Sequence, residues 1–296
     1  MNDEPPNPHD SRNIVRARGL EKYYGRFRAL DNVDLTIPTG AISGLIGPNG
    51  AGKSTALKSL LGLCDVEGEL QVAGRDPRHG RHKLMEEVCF IADVGILPKW
   101  AKVRQIVDYV ESVHPRFNRA RAEHLLSTTT VPAHKRVKQL SKGMVTQLHL
   151  ALVMAIDVRL LVLDEPTIGL DIIYRKEFYD RLLNDYHDDS RTIIISTHQV
   201  EEIEALLSHL IFIHQGRIVL DIQMADIPQH YTEVAVAPPQ FEQAEALQPI
   251  YRRELPGKKV FLYEGVSRER LGTLGELSTP AVADLFVAKV RGAGDD

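Results

Sequence analysis

A glycine-rich stretch at residues 47–55 contains the residues best suited to chemistry, and it matches the phosphate-binding pattern G-x-x-x-x-G-K-[ST] at every defined position. Backbone N–H groups in such a loop point at an anion, while glycine allows close approach and positive φ. We predict that a nucleotide phosphate binds to Gly47, Pro48, Asn49, Gly50, Ala51, Gly52, Lys53, Ser54 and Thr55. In this pattern Lys53 would reach the β- and γ-phosphates and the Ser54 hydroxyl would ligate Mg²⁺.

Two carboxylates follow a second apolar segment, Leu160–Leu163. Asp164 could hold Mg²⁺, directly or through water, and Glu165 could accept a proton from an attacking water. Two solvated side chains at a strand end are the alternative interpretation. The presence of a phosphate loop in the same chain favours the interpretation in which both carboxylates take part in the chemistry.

The elements that must position these residues alternate between apolar strands and helices. A strand over 41–46 and a helix over 55–61 flank the phosphate loop, and 88–92 and 191–198 are further buried-strand candidates. Such alternation predicts a mostly parallel sheet with its site at the carboxyl ends of the strands.

The flanking regions have patterns of their own. Strands at 14–20 and 33–37 predict a β-rich N-terminal piece, and 103–126 is helical, with Pro115 and Pro132 separating short helices. We also expect helices at 175–186 and 201–207, and a small α/β unit over 222–296 that ends in an amphipathic helix.

Composition bounds the function. The chain has 296 residues and a net charge of −4, which gives no general attraction to nucleic acid or anionic lipid. Its two cysteines have no metal or disulfide spacing, which indicates a reducing cytosol. No apolar run approaches the roughly 18 residues that a spanning helix needs, and residues 1–13 are predicted to form a disordered tail rather than a signal peptide.

The order of the motifs resembles the nucleotide-binding subunit of ABC transporters. Residues 140–144, Leu-Ser-Lys-Gly-Met, are similar to the family signature Leu-Ser-Gly-Gly-Gln and lie between the phosphate loop and the Asp164 strand. They are followed by Gly169-Leu170-Asp171, which matches the D-loop, and by the strand-end His198, which matches the switch histidine. The resemblance covers about residues 14–221.

The resemblance implies an α/β fold. It consists of a phosphate-loop NTPase core, an N-terminal antiparallel β subdomain, a small helical signature subdomain at about 94–157 and a small C-terminal α/β extension. The ATPase cassette would occupy residues 14–221 and an accessory domain residues 222–296.

The resemblance also implies ATP and Mg²⁺ as cofactors and a role for each matching residue. Tyr24, or Tyr23 if the register slips by one, would stack on adenine. Glu165 would be the general base and His198 would contact the γ-phosphate. Ser141 and Gly143 would act on the ATP of a second subunit. Asp171 and Asp93 are the remaining residues of the nucleotide site. Asp93 is also expected to ligate the metal, together with Ser54 and Asp164.

The function implied is ATP hydrolysis that powers export through a separate membrane-spanning subunit, by ATP-driven closure of a dimer of ATPase subunits that is expected to be a homodimer. The protein would lie at the inner face of the cytoplasmic membrane. A soluble ABC ATPase acting on nucleic acid or ribosomes is the alternative. It is disfavoured by the single cassette and the negative charge, so no nucleic-acid partner is expected.

Several positions depart from the family pattern. Lys142 replaces a signature glycine in a form associated with ABC-2 exporters, Asp93 stands where a glutamine is usual, and Gln147 takes a place that is often basic. Trp100 follows the Asp93 loop, where family members receive the membrane subunit. Either a partner contact or ordinary packing would explain this aromatic residue.

Overall fold

The computed structural model describes residues 12–91, 97–168 and 170–292. The strands are β1 (Asn13–Tyr24), β2 (Phe27–Pro38), β3 (Ile42–Ile46), β4 (Glu67–Val72), β5 (Val88–Ile91), β6 (Leu160–Asp164), β7 (Thr192–Thr197), β8 (His209–His214), β9 (Arg217–Gln223), β10 (Tyr231–Val236), β11 (Tyr251–Leu255), β12 (Lys258–Glu264) and β13 (Gly275–Ser278). The helices are α1 (Lys53–Leu60), α2 (Arg81–Leu84), α3 (Val103–Val113), α4 (Arg119–Ser127), α5 (Lys142–Met154), α6 (Ile172–Arg181), α7 (Ile227–His230), α8 (Phe241–Glu245), α9 (Arg268–Gly272) and α10 (Val282–Gly292).

A six-stranded sheet in the order β5-β6-β7-β3-β8-β9 forms the centre of the molecule. The first five strands are parallel and β9 is antiparallel to β8, so the predicted mostly parallel sheet is confirmed. Strands β3, β6 and β7 are buried along their whole length, as apolar strands covered on both faces must be. Asp164 pairs with Ser196, and Ile46 pairs with Thr197, so the carboxyl ends of β6, β7 and β3 lie side by side.

An antiparallel sheet in the order β2-β1-β4 forms the N-terminal β layer. Strands β1 and β2 are longer than the sequence pattern predicts, and Tyr24 pairs with Phe27 across a two-residue turn. Gly25 adopts φ +60° there, a conformation that favours glycine.

Three helices form a separate apolar cluster. Val103, Ile106 and Val107 of α3 pack with Leu148 and Leu152 of α5.

The predicted break at Pro115 is present, because α3 ends at Val113 and α4 begins at Arg119. The Asn118 side chain caps α4 by accepting the Arg121 N–H.

The C-terminal sheet is entirely antiparallel, in the order β11-β12-β10-β13. With α8 between β10 and β11 and α9 between β12 and β13, it has the βαββαβ arrangement of ferredoxin-like units. The final helix α10 packs onto the central core rather than standing apart, because Val282, Leu285 and Ala288 are buried in the same cluster as Phe212 of β8. The domain boundaries at residues 13 and 221 stay predictions.

The helix predicted at 201–207 is wrong: the segment forms two 3₁₀ turns, Val200–Glu202 and Glu204–Leu206. A 3₁₀ turn places residues three apart on one side, and both Val200 and Ile203 are buried. The expected tail falls mostly on residues 1–11, outside the described residues. Within the described ranges no helix is both long and apolar enough to cross a membrane.

Candidate functional site

The phosphate loop joins β3 to α1 at the carboxyl edge of the central sheet. Two of its glycines, Gly47 and Gly52, are required by space. A Cβ at Gly47 would lie 2.3 Å from the Ile213 carbonyl oxygen, and one at Gly52, where φ is +109°, would lie 2.7 Å from the Ala29 carbonyl oxygen. The loop is therefore seated tightly against β8 and β2, and the N-terminus of α1 faces the site with its unpaired N–H groups.

Lys53 is the first residue of α1 and its side chain is buried. The Nζ atom donates to the carbonyl oxygens of Gly47, at 2.7 Å, and Pro48, at 3.3 Å. It also lies 3.4 Å from Oε1 of Glu165. The lysine thus contacts its own loop and the carboxylate that directly follows β6, two strands away in the sheet.

Glu165 is held in an unusual backbone conformation, with φ at +50°. Its N–H donates to the Ser196 carbonyl oxygen at 3.1 Å and to the Ser196 hydroxyl at 3.2 Å. A positive φ at a residue other than glycine costs on the order of 1 kcal/mol and persists where neighbouring contacts enforce it. The bend places the carboxylate against His198, whose Nδ1 lies 2.9 and 3.0 Å from the two carboxylate oxygens.

Asp164, the last residue of β6, is buried and accepts a hydrogen bond from the Ser196 hydroxyl. Ser196 therefore contacts both carboxylate-bearing residues. Sequence reasoning did not select Ser196, because only the β6–β7 register places it beside Asp164.

A cavity of about 230 Å³ opens above the phosphate loop. Lys53, Ser54 and Glu165 line it on one side, and Tyr24 and Phe27 line it at the tip of the β1–β2 hairpin. Tyr24 and Phe27 are 50% and 61% exposed. The Tyr23 ring does not line this cavity and instead lies 5.6 Å from the Arg28 guanidinium. Phe27 is an aromatic lining residue that the sequence analysis missed.

Ser141 and Gly143 are not brought to this cavity. Ser141 is exposed and caps α5, its hydroxyl accepting the Met144 N–H at 3.2 Å. A Cβ at Gly143 would meet nothing within 4 Å, so the surface there is open. The start of α5 therefore presents its N-terminal dipole to the outside.

Asp171 caps another helix, α6. Its Oδ1 accepts the N–H groups of Ile173 and Tyr174, each at 3.1 Å. Ile172 and Ile173 beside it are 81% and 70% exposed. The expectations for Asp93 and Gly169 lie outside the described residues.

Comparison with known proteins decides the family. The sequence matches the family described as ABC transporter over residues 30–168. A lantibiotic transport ATP-binding protein of Streptococcus pyogenes is 33% identical over 214 residues, which cover 70% of this chain and 90% of that protein. This chain belongs to the ABC transporter family. It is an ATP-binding subunit of the family and an ATPase.

Other relatives agree with this assignment. A daunorubicin resistance ATP-binding protein of Streptomyces coeruleorubidus is 34% identical over 223 residues, covering 70% of this chain and 66% of that protein. A solved ATP-binding subunit of an ABC transporter superposes with a TM-score of 0.66 at 22% identity, covering 73% of this chain and 92% of that one. This structural likeness confirms the expected α/β phosphate-loop fold.

Proposed function

We propose that this ABC ATPase powers export through a separate membrane-spanning subunit, and that ATP closes a dimer of ATPase subunits while hydrolysis reopens it. The observation that carries the hydrolytic part of the proposal is the contact of Glu165 with both Lys53 and His198 beside the cavity. A carboxylate, a phosphate-loop lysine and a histidine are the groups needed to activate water and to stabilise charge on a transferred phosphoryl group.

In this proposal Glu165 accepts the proton of the attacking water. Lys53 moves from its loop carbonyl partners to the β- and γ-phosphates. With Nδ1 held by Glu165, the other ring nitrogen of His198 is the one that can donate to the γ-phosphate when the ring is protonated. Tyr24 supplies the stacking face for adenine, and Phe27 lies next to it in the cavity wall.

Magnesium fits the residues present. The Ser54 hydroxyl lines the cavity, and the Asp164 carboxylate ends a strand at the same sheet edge. Both offer the hard oxygen donors that Mg²⁺ prefers. The ion would neutralise charge on the phosphates, while the Ser196 hydrogen bond keeps Asp164 oriented. A share in this site for Asp93 stays a prediction.

The arrangement of the signature supports a dimer. Ser141 and Gly143 lie at an open helix N-terminus and do not line the cavity of their own chain. In a head-to-tail pair each signature would face the ATP of the other copy. The exposed Ile172 and Ile173 beside Asp171 would provide apolar contact area in that interface.

Export is supported by the names of relatives. The Nod factor export ATP-binding protein I of Cupriavidus metallidurans is 33% identical over 222 residues, covering 70% of each chain. For the membrane partner the best contact surface is Trp100, which is 72% exposed, with Tyr109 of α3 also exposed. Docking there would place the protein at the cytoplasmic face of the membrane.

The test is a Glu165→Gln variant with Glu201→Gln as the matched control, since Glu201 is exposed and lies just after His198 in the chain. Glutamine cannot act as a base, so steady-state ATP turnover should fall about a hundredfold or more while ATP affinity stays within a few-fold. The control should keep normal turnover. Normal turnover in Glu165→Gln would remove Glu165 from the base role.

A further inference from the structure

The N-terminus of α10 is capped by a residue from a distant part of the chain. The Ala281 carbonyl oxygen accepts the Leu285 N–H at 3.0 Å, which makes Ala281 the residue that begins the helix. Alanine has no side-chain oxygen to cap the first turn. The Val282 N–H instead donates to Oε1 of Glu204 at 3.3 Å. A carboxylate at a helix N-terminus also interacts favourably with the helix dipole.

Glu204 belongs to the segment that follows His198, which we call the 199–207 segment. This segment connects His198 at the end of β7 to β8 by two short 3₁₀ turns. Its apolar side chains are buried in the same cluster as α10, and the members concerned are Val200, Ile203, Leu207, Val282 and Leu285. The histidine of the site and the C-terminal helix therefore share one packed connection.

The other side of the 199–207 segment is tied to the start of α6. Arg175 forms an ion pair with Glu202 and donates to Oε1 of Gln199 at 3.3 Å. The same guanidinium donates to the Leu170 carbonyl oxygen at 3.2 Å. The 199–207 segment is thus held between α6 and α10. A displacement of either helix would therefore move Gln199, the first residue of the segment and the neighbour of His198 in the chain.

Helix α10 is in turn fixed to the C-terminal sheet and to β8. Lys289 contacts both carboxylate oxygens of Glu264 at 2.8 Å, and its ammonium lies 5.1 Å from the centre of the Tyr231 ring. Phe286 packs edge-to-face on Phe212 with the ring centroids 5.0 Å apart. The helix can therefore transmit the position of the βαββαβ unit to Glu204.

We propose that Glu204 is a positioning residue for His198, and that the C-terminal unit controls ATP turnover by holding Glu204 at the N-terminus of α10. The inference rests on the proposed role of His198. When α10 is seated, the 199–207 segment is fixed and His198 stays against Glu165. When α10 is displaced, the segment loosens and the histidine loses its alignment.

The experiment compares full-length Glu204→Ala, Glu204→Gln and the control Glu201→Ala in steady-state ATP hydrolysis. Loss of one charged hydrogen bond should lower kcat about three- to tenfold in Glu204→Ala with KM for ATP nearly unchanged. Glutamine keeps an acceptor oxygen and should retain most of the turnover. Glu201→Ala should match the unchanged protein.

A second substitution separates positioning from simple helix capping. Ala281→Asp gives α10 a cap of its own, so in the Glu204→Ala background it should restore the melting temperature without restoring kcat. A parallel cycle with His198→Ala should show no further loss of kcat when Glu204→Ala is added, because both changes remove the same alignment.

Three results would overturn the inference: normal kcat in Glu204→Ala, recovery of kcat together with stability in the Ala281→Asp variant, or losses that multiply in the His198 cycle. Normal kcat in Glu204→Ala, combined with reduced turnover in His198→Ala, would refute the inference about Glu204 and leave the proposed role of His198 in place. Normal turnover in His198→Ala would remove both the inference and the proposed role of the histidine.

Discussion

Replacing Tyr24 with alanine should weaken ATP binding without disturbing the phosphate contacts. The Tyr24 ring is half exposed. A fully buried aromatic residue removes roughly 150–250 Å² from water, so about 100 Å² of this side chain is accessible. A stacked base can cover one face of the ring, which is roughly 50 Å² of that area. At about 25 cal/mol per Å² this area is worth ~1.3 kcal/mol. Base–aromatic stacking measured by alanine substitution is ~1–3 kcal/mol, and the area estimate lies in the lower part of that range, so we expect a loss of ~1–2 kcal/mol and a Kd increase of about five- to thirtyfold.

The neighbouring tyrosine is the matched control for this prediction. Tyr23 has similar exposure but lies beside Arg28 rather than in the cavity wall. Isothermal titration with a non-hydrolysable ATP analogue should show the loss for Tyr24→Ala, a near-normal affinity for Tyr24→Phe and little change for Tyr23→Ala. Tripolyphosphate, which lacks the base, should bind all four proteins alike.

Two results would refute the reasoning about the hairpin tip. Equal losses in Tyr23→Ala and Tyr24→Ala would indicate that the hairpin acts through stability rather than through a stacking face. An unchanged affinity in Tyr24→Ala would move the adenine contact elsewhere, and Phe27 would then be the next aromatic residue to replace.

Two further predictions follow from burial. Desolvation lowers the pKa of His149 on α5, so the unfolded chain binds more protons below its ordinary pKa near 6.5 and stability should fall as the pH drops through that value. Between about pH 7 and pH 5 the melting temperature of His149→Gln should therefore decline less steeply than that of the unchanged protein. The control His82→Gln, at an exposed position, should show the same decline as the unchanged protein. Equal declines in the two variants would contradict the prediction. Burial raises the pKa of Cys89 to about 12, so in the native protein a maleimide should label the more accessible Cys64 at least about a hundredfold faster. Native labelling that persists in a Cys64→Ser variant would show that Cys89 is accessible.

The residues of the phosphate loop and the pair Asp164 and Glu165 could be predicted from the sequence because their patterns are local. The contact between Lys53 and Glu165 also follows from general rules, since parallel strands end at the same edge of a sheet. His198 is selected by its match to the family's switch histidine, together with its position at the end of an apolar strand. In each case a short stretch of chain carries both the residue type and the element that positions it.

What could not be predicted depends on long-range register and packing. Ser196 meets Asp164 only through the pairing of β6 with β7, and Phe27 reaches the cavity only because the Gly25 turn pairs it with Tyr24. The strand β11 carries Arg252, Arg253 and Glu254 in succession, so its sequence lacks the alternation of apolar and polar residues that predicts a strand. The link from Glu204 to α10 joins residues 78 positions apart and leaves no local pattern at all.

The most direct test of the central claim, ATP-driven closure of a dimer, is the molar mass of the Glu165→Gln protein by light scattering, with and without Mg·ATP. We predict a monomer that doubles in mass when ATP is added, and no doubling when Ser141→Arg is introduced into the signature of the same protein. A mass that stays monomeric while ATP binding is saturated would contradict self-closure of this chain. A dimer of equal mass without ATP would contradict closure driven by the nucleotide.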